Sequence, residues 1–313
     1  MNTGNVNPPD VSVIMVMYRS RDHIGPCLDA IAGSVSDLEV IAVDNASPDD
    51  SAEILVAAHP SAQIVRSDKN LGFAGGVNLG AAMATGRYIL LLNPDTVAAS
   101  GAVDALVAHA DKFPDHRIYG GRTVDRNGDV DPRSVWGLPS LWSHITFATG
   151  LSTVFHGTRL FDPESLGSWK RDSCREVGAV SGGFLLVDRE LWVQLGGLDE
   201  AFFMYGEDID FALRARAAGA RPVLVPEAEL FHDVGASSTS ADKRVMVMRG
   251  KSELAKRRWS GWRLRLAEGC LISGTALRGP GARVASRLLR RPGGQGWVEA
   301  WNRRREWRGG WSG

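Results

Sequence analysis

Three observations predict an α/β fold with a parallel sheet. Strand-like and helix-like stretches alternate four times over about a hundred residues from Val11 onward. The strand-like stretches are short apolar runs, as expected of strands buried on both faces. Two of them, LEVIAVDN (38–45) and YILLL followed by Asn93-Pro94-Asp95, end in polar turn residues that deliver carboxylates to one sheet edge. In open α/β sheets ligands bind at that carboxyl edge.

VSVIMVMY (11–18) is the first strand, and Arg21 to Gly33 follows with Ile24, Leu28 and Ile31 at helical spacing. After the second strand, Ser47-Pro48-Asp49-Asp50 reads as a helix start: a capping serine, proline at the first helical position and acid in the first turn. That helix is expected to run to about His59, ahead of Pro60. A short strand covers Gln63 to Arg66. Residues 70–86, NLGFAGGVNLGAAMATG, form a glycine-rich turn opening an alanine-rich helix. The central strand Tyr88–Leu92 comes next, stopped by Pro94, which cannot donate to a ladder. A helix from about Gly101 to Lys112 closes the series.

The second half is less regular. Asn127-Gly128, between Thr123-Val124 and Val130, signals a hairpin. Residues 134–175 carry Trp136, Trp142, Phe147, Phe155, Phe161 and Trp169 among turn residues. A long irregular segment of that kind is either a lid or binding loop, or an insertion packed by its own aromatics. Order returns at 176–197 with a strand and a short helix capped by Gly196-Gly197, and a further helix ends at Gly219. RPVLVP (221–226) is a strand, and EAELFHDVGASS (227–238) leads out past His232. Beyond Ser240 the chain reads as basic amphipathic helix, with Trp262, Leu264, Leu266, Leu271, Ile272 and Leu277 interleaved with arginines.

Composition narrows the function classes. A content of 44% hydrophobic and 23% charged residues belongs to a folded globular chain. Cys27, Cys174 and Cys270 make no Cys-x-x-Cys pair, so neither a zinc site nor a disulfide framework is indicated, and a reducing, cytoplasmic setting fits. The first residues lack a signal-peptide pattern, and no apolar run reaches the ~18 residues of a membrane span. The formal net charge of zero hides an asymmetry: from Lys243 to Gly313 there are 18 basic against 4 acidic residues, a surplus of +14. Such a tail is expected to meet an anionic surface.

Three acids stand at informative places: Asp44 after the second strand, Asp95 after the central strand and Asp208 at a helix start. Carboxylates are hard ligands suited to Mg²⁺ or Mn²⁺, which commonly bridge phosphate oxygens. The turn Gly72-Phe73-Ala74-Gly75-Gly76 has neither the dinucleotide nor the P-loop spacing. It suits close approach of a nucleotide and, equally, a tight helix–strand contact.

Taken in order, VSVIMVMYRS (11–20), VDNASPDDS (43–51), NLGFAGGVNLG (70–80), ILLLNPDT (89–96), residues 180–219 and ELFHDVGASS (229–238) resemble the family-2 glycosyltransferases, especially their rhamnosyltransferase-like branch. The resemblance implies a GT-A fold: a Rossmann-like, mixed but mostly parallel sheet flanked by helices. A catalytic domain at 8–239 and a basic helical C-terminal extension at 240–313 follow from it. It further implies inverting transfer from a nucleotide diphosphate-sugar, dTDP-rhamnose for this branch, to a glycan or polyprenyl-linked acceptor.

Carried over by position, the donor nucleotide falls to Tyr18, Asp44, Asn70, Gly72, Gly75, Asn78 and Asn93. Asp95 is the last residue of the family's Asp-x-Asp metal motif, with Asn93 in place of the first aspartate, and His232 is its second metal ligand. Asp208 is the general base. Trp136, Gly182, Gly183, Tyr205, Glu207 and Arg214 take acceptor or supporting roles, although Arg214 also fits a solvated helix face.

Other classes fit less well. A nucleotidyltransferase needs a glycine-rich, lysine-terminated loop after the first strand, which MYRSRDHIG (17–25) is not. A dinucleotide oxidoreductase needs Gly-x-Gly-x-x-Gly after a strand. The tail's Trp259, Trp262, Trp297, Trp301, Trp307 and Trp311 suit stacking on nucleic-acid bases or a membrane surface. A lipid-linked acceptor favours the membrane, and with it a peripheral position at the inner face of the cell membrane rather than a nucleic-acid partner.

Overall fold

The computed structural model describes residues 8–125, 127–232, 240–281 and 295–311. In chain order the first elements are β1 (Val11–Met17), α1 (Ile24–Ile31), β2 (Leu38–Asn45), α2 (Ser51–Ala58), β3 (Gln63–Ser67), α3 (Gly72–Ala81), β4 (Tyr88–Leu92), β5 (Thr96–Ala98) and α4 (Ala102–Lys112). Next come β6 (Ile118–Val124), β7 (Val130–Asp131), α5 (Leu141–Thr149), α6 (Leu151–Val154), β8 (Arg175–Glu176), β9 (Phe184–Asp188), α7 (Arg189–Leu195) and α8 (Glu207–Ala217). β10 (Val223–His232), α9 (Ser240–Arg258), α10 (Gly261–Arg278), α11 (Gln295–Asn302) and α12 (Arg304–Trp307) complete the chain.

Packing divides these elements into two compact units. One comprises Met1–Val135, Lys170–Asp199 and Phe211–Val234; the other comprises Trp136–Trp169, Glu200–Asp210 and Gly235–Gly313.

The first unit holds a ten-stranded sheet of order β3-β2-β1-β4-β9-β6-β10-β5, with β7 on β6 and β8 on β10. The half β3-β2-β1-β4 is parallel, as the βαβ alternation predicts. β9 runs antiparallel to β4 and β6, so the sheet is mixed. The pleat of β1 explains the layering. Val11, Val13, Met15 and Met17 point into a core shared with Ile24, Cys27, Leu28 and Ile31 of α1 and Leu106 of α4. Ile14 and Val16 face the other way, against the glycines of α3. The Asn127-Gly128 hairpin is present, with β6 and β7 antiparallel and Gly128 at φ +81°.

The second unit is helical. Val245 and Met248 of α9, Leu271 of α10, Ala300 of α11 and Trp307 of α12 form its core, with Phe147 of α5 packed against it. Gly274 lets α10 approach closely, since a Cβ there would collide with the Phe147 ring.

Two expectations need correction. The segment 134–175 is not irregular throughout, because α5 and α6 lie within it. α5 starts with a capping box in which Ser140 and Ser143 bond each other's backbone amides. The helix after β2 begins at Ser51 rather than at Ser47. Ser47 instead forms a turn in which its Oγ accepts from the Arg19 amide at 2.8 Å.

Candidate active site

Because β3, β2, β1 and β4 are parallel, the residues leaving their carboxyl ends share one edge. Tyr18 follows β1 and is exposed there. Asp44 sits opposite Met17 in the β1–β2 ladder and opposite Arg66 in β3. The Asp44 Oδ1 accepts from the Ser47 amide at 2.9 Å, while Oδ2 has only a long 3.5 Å contact with Arg66. Oδ2 is therefore the oxygen best placed to accept from a ligand. The Ser20 amide donates to Ser51 Oγ at 3.0 Å, and together with the Arg19–Ser47 bond this straps the β1 exit to the β2 exit.

The glycine-rich turn is tied to the same edge by Asn45, which the sequence reading passed over. Buried Asn45 donates from Nδ2 to the Gly72 carbonyl at 2.9 Å and to Asn70 Oδ1 at 3.2 Å; its Oδ1 accepts from the Leu71 amide at 2.8 Å. Asn70 Oδ1 also accepts from the Gly72 amide at 2.9 Å. Gly72 stands at φ +73°, where a side chain would be strained. A Cβ at Gly76 would lie 2.7 Å from Val16 Cγ1, and one at Gly80 would lie 2.9 Å from Ile14 Cγ2. The helix–strand explanation thus accounts for Gly76 and Gly80. Gly75 instead lies against Leu71, where a Cβ would come within 2.9 Å of its Cβ.

Asn78, expected on the donor, bonds to the backbone of Leu198. Its amide donates to the Leu198 carbonyl at 2.8 Å and accepts from the Leu198 amide at 2.9 Å. Both ends of the side chain clamp the chain beyond Gly197.

Asn93 and Asp95 sit on a knotted turn. The Asn93 amide donates to the Gly183 carbonyl at 3.1 Å, and the Asn93 carbonyl accepts from Thr96 Oγ1 at 2.6 Å. A Cβ at Gly183 would press on Asn93 Nδ2 at 3.2 Å, and one at Gly182 on Phe73 at 2.9 Å, so this glycine pair permits close approach. Thr96 opens β5, which pairs antiparallel with β10 and sets Thr96 opposite His232. That register brings His232 Nε2 to 3.4 Å from Asp95 Oδ2, across 137 residues of chain. Burial opposes ionisation of Asp95, but the His232 ring outweighs it and holds the carboxyl below its usual range. Asp131 lies in the same neighbourhood and carried no sequence signal. Burial likewise opposes its ionisation, and the Arg133 fork, at 2.8 and 2.7 Å, and the His232 charge hold it low.

Among the described residues no group of three His, Cys, Asp or Glu side chains is assembled to hold a metal ion. Asp95 and His232 nonetheless offer one hard oxygen and one imidazole nitrogen side by side. That donor set fits a Mg²⁺ or Mn²⁺ ion whose remaining positions are filled by other oxygens.

Glu207 and Asp208 begin α8, with Asp210 also in the first turn and Arg214 and Arg216 in the last, matching the helix dipole. The turn before them is strained: Tyr205, a non-glycine residue, adopts φ +67° and Gly206 φ +107°. Gly250 of α9 was also unforeseen, and a Cβ there would collide with the Tyr205 carbonyl. Glu207 is buried, with Oε2 lacking a hydrogen-bond partner. Burial first and the Asp208 charge second push its carboxyl up to about 8. Trp136, the remaining aromatic candidate, is half-buried. Arg214, expected in a supporting role, is half-buried. It donates to the Leu195 and Gly197 carbonyls, both at 3.0 Å, closing the C-terminus of α7.

Residues 12–168 match the family model for glycosyl transferase family 2. The chain belongs to that family. It is 30% identical over 250 residues to the N-acetylglucosaminyl-diphospho-decaprenol L-rhamnosyltransferase of Mycobacterium tuberculosis, a match covering 74% of this chain and 78% of the relative. Rhamnosyltransferase WbbL of Escherichia coli K12 is 26% identical over 234 residues, covering 71% and 83% of the two chains. Among solved structures, the mannosyltransferase PcManGT from Pyrobaculum calidifontis, in complex with GDP-Man and Mn²⁺, aligns with a TM-score of 0.54. It covers 98% of this chain and 85% of its own at 18% identity. S. aureus TarS 1–349 aligns at 0.51, covering 94% and 82% at 15% identity. This family-2 chain is thus a glycosyltransferase of the rhamnosyltransferase-like kind with the GT-A fold.

Proposed function

We propose that this glycosyltransferase moves rhamnose, from dTDP-rhamnose, with inversion onto a hydroxyl of a cell-surface glycan or polyprenyl-linked acceptor. The observation that carries the proposal is the Asp95–His232 pair at the carboxyl edge, beside the Asn93 turn and on the same edge as Asp44 and Tyr18. The similarity to the mycobacterial rhamnosyltransferase supports the choice of sugar and of a lipid-linked acceptor. In this reading residues 8–239 form the catalytic domain, while the extension 240–313 holds the enzyme at the cytoplasmic face of the membrane. No helix among the described residues is long and apolar enough to cross a membrane.

Asp44, Tyr18 and the Asn70–Gly75 turn hold the nucleoside, and Asp95 with His232 hold the divalent cation. When bound, the cation neutralises charge on the departing diphosphate. Asp208 accepts the proton from the acceptor hydroxyl as its oxygen bonds to the anomeric carbon and the bond to diphosphate breaks. Such a base contributes ~10²–10⁴-fold in rate. Burial first and the Asp208 charge second push the Glu207 carboxyl up to about 8, so Glu207 is the member of the pair less suited to take a proton at neutral pH.

Thermal-shift screening of nucleotides and nucleotide-sugars, with and without Mn²⁺, tests this reading. Stabilisation by dTDP-rhamnose that depends on Mn²⁺ is the expected result. Failure of every nucleotide to stabilise the chain contradicts it.

A further inference from the structure

The sequence assigns a basic amphipathic character to the whole extension, and the structure narrows it to one helix face. α10 buries Ala267, Leu271 and Thr275. Trp262 is 66% exposed, Leu266 36% and Leu277 48%, on a side that adjoins the buried Cys270. At 3.6 residues per turn these three fall within roughly a 60° sector, a stripe about 22 Å long. Arg263 and Arg265 flank it on either side, both exposed. At its far end Leu277 lies against Gly150, where an added Cβ would meet Leu277 Cδ2 at 2.9 Å.

We infer that this stripe is the surface by which the enzyme docks on an anionic lipid bilayer, lying in the headgroup region with Trp262 and Leu266 inserted. The inference names the face for the membrane contact proposed above and rests on that reading. Charge selects the partner, since residues 243–313 carry a surplus of +14 and both edges of the stripe are cationic. Nucleic acid is the poorer fit, because the other tryptophans of the extension are engaged internally. Trp307 is buried with Nε1 donating to the Ala300 carbonyl, Trp259 meets His144 edge-on, and Trp297, Trp301 and Trp311 are each covered by an arginine. Trp262 also carries an arginine, Arg263, over its ring at 5.6 Å, but among the tryptophans of the described extension it is the exposed one, at 66%.

Co-sedimentation of the full chain with vesicles tests the inference. Binding is expected to vesicles of phosphatidylcholine containing about 30 mol % phosphatidylglycerol, not to phosphatidylcholine alone, and to weaken in about 0.5 M salt. The exposed-site variant W262A/L266A should bind at least about tenfold more weakly with unchanged circular dichroism. R263Q/R265Q should lose about fivefold per arginine.

Wild-type binding by W262A/L266A, or no binding of the native chain to the anionic vesicles, overturns the inference. So does a native dimer that W262A/L266A dissociates, or retention on single-stranded DNA in place of vesicles. Nucleotide-sugar stabilisation measured on the same preparation separates the two readings. Donor binding without vesicle binding defeats only the docking face, and vesicle binding without donor binding defeats only the catalytic assignment.

Discussion

Substituting Glu207→Gln tests the electrostatics of the α8 start. The side chain is buried, its Oε2 has no partner, and burial with the adjacent Asp208 charge pushes its carboxyl from 4.5 up to about 8. In the unfolded chain the same group ionises near its ordinary value, so between the two values the folded state holds a proton that the unfolded state has released. Stability therefore falls as pH rises through that window, by about 1.4 kcal/mol per pH unit. Glutamine keeps the shape of the protonated acid and removes the titration. Relative to wild type, the variant should gain under about 1 kcal/mol at pH 5 and on the order of 3 kcal/mol at pH 7. Thermal melts across pH 5 to 8 read this directly, as a gap in Tm that widens with pH. A constant gap, or a variant less stable than wild type at pH 8, would mean that Glu207 is ionised in the folded protein.

The other predictions concern the sheet edge. Asn78→Ala leaves the buried Leu198 amide and carbonyl unpaired, so chemical denaturation should reveal a loss of roughly 2–4 kcal/mol. Donor affinity measured below the melting range should hardly change. His232→Ala removes one of the two proposed metal ligands and should raise the Mn²⁺ concentration needed for donor-dependent stabilisation by about tenfold or more. Tight Mn²⁺ binding to the protein without donor would contradict a site built from so few protein ligands.

The sheet was legible because its signals are local. Tyr88–Leu92 is apolar throughout and all five residues are buried, while the Asn-Pro-Asp sequence after it ends the strand where the physics of proline requires. The resemblance likewise located the edge that holds Asp44, Asn93 and Asp95. What escaped reading depends on partners distant in sequence. The bonds of Asn78 to Leu198 and of Arg214 to the Leu195 and Gly197 carbonyls carry no signal in the sequence. Asp131 reaches the His232 neighbourhood only through the β6–β7 and β6–β10 pairings. Gly250 looks like an ordinary glycine within a basic helix, and only the strained Tyr205 turn explains it. α5 was missed because its cap pairs two serines, without the acid or amide that usually marks a capping box.

The central assignment is division of labour: Asp95 with His232 serves the leaving group, and Asp208 serves the acceptor proton. Asp208→Asn separates these roles in one measurement, the rate of sugar transfer at saturating nucleotide-sugar, with donor-induced thermal stabilisation recorded alongside. The account predicts a fall of about 10²–10⁴-fold in rate with donor stabilisation kept. Transfer within a few-fold of wild type at full donor occupancy would contradict it.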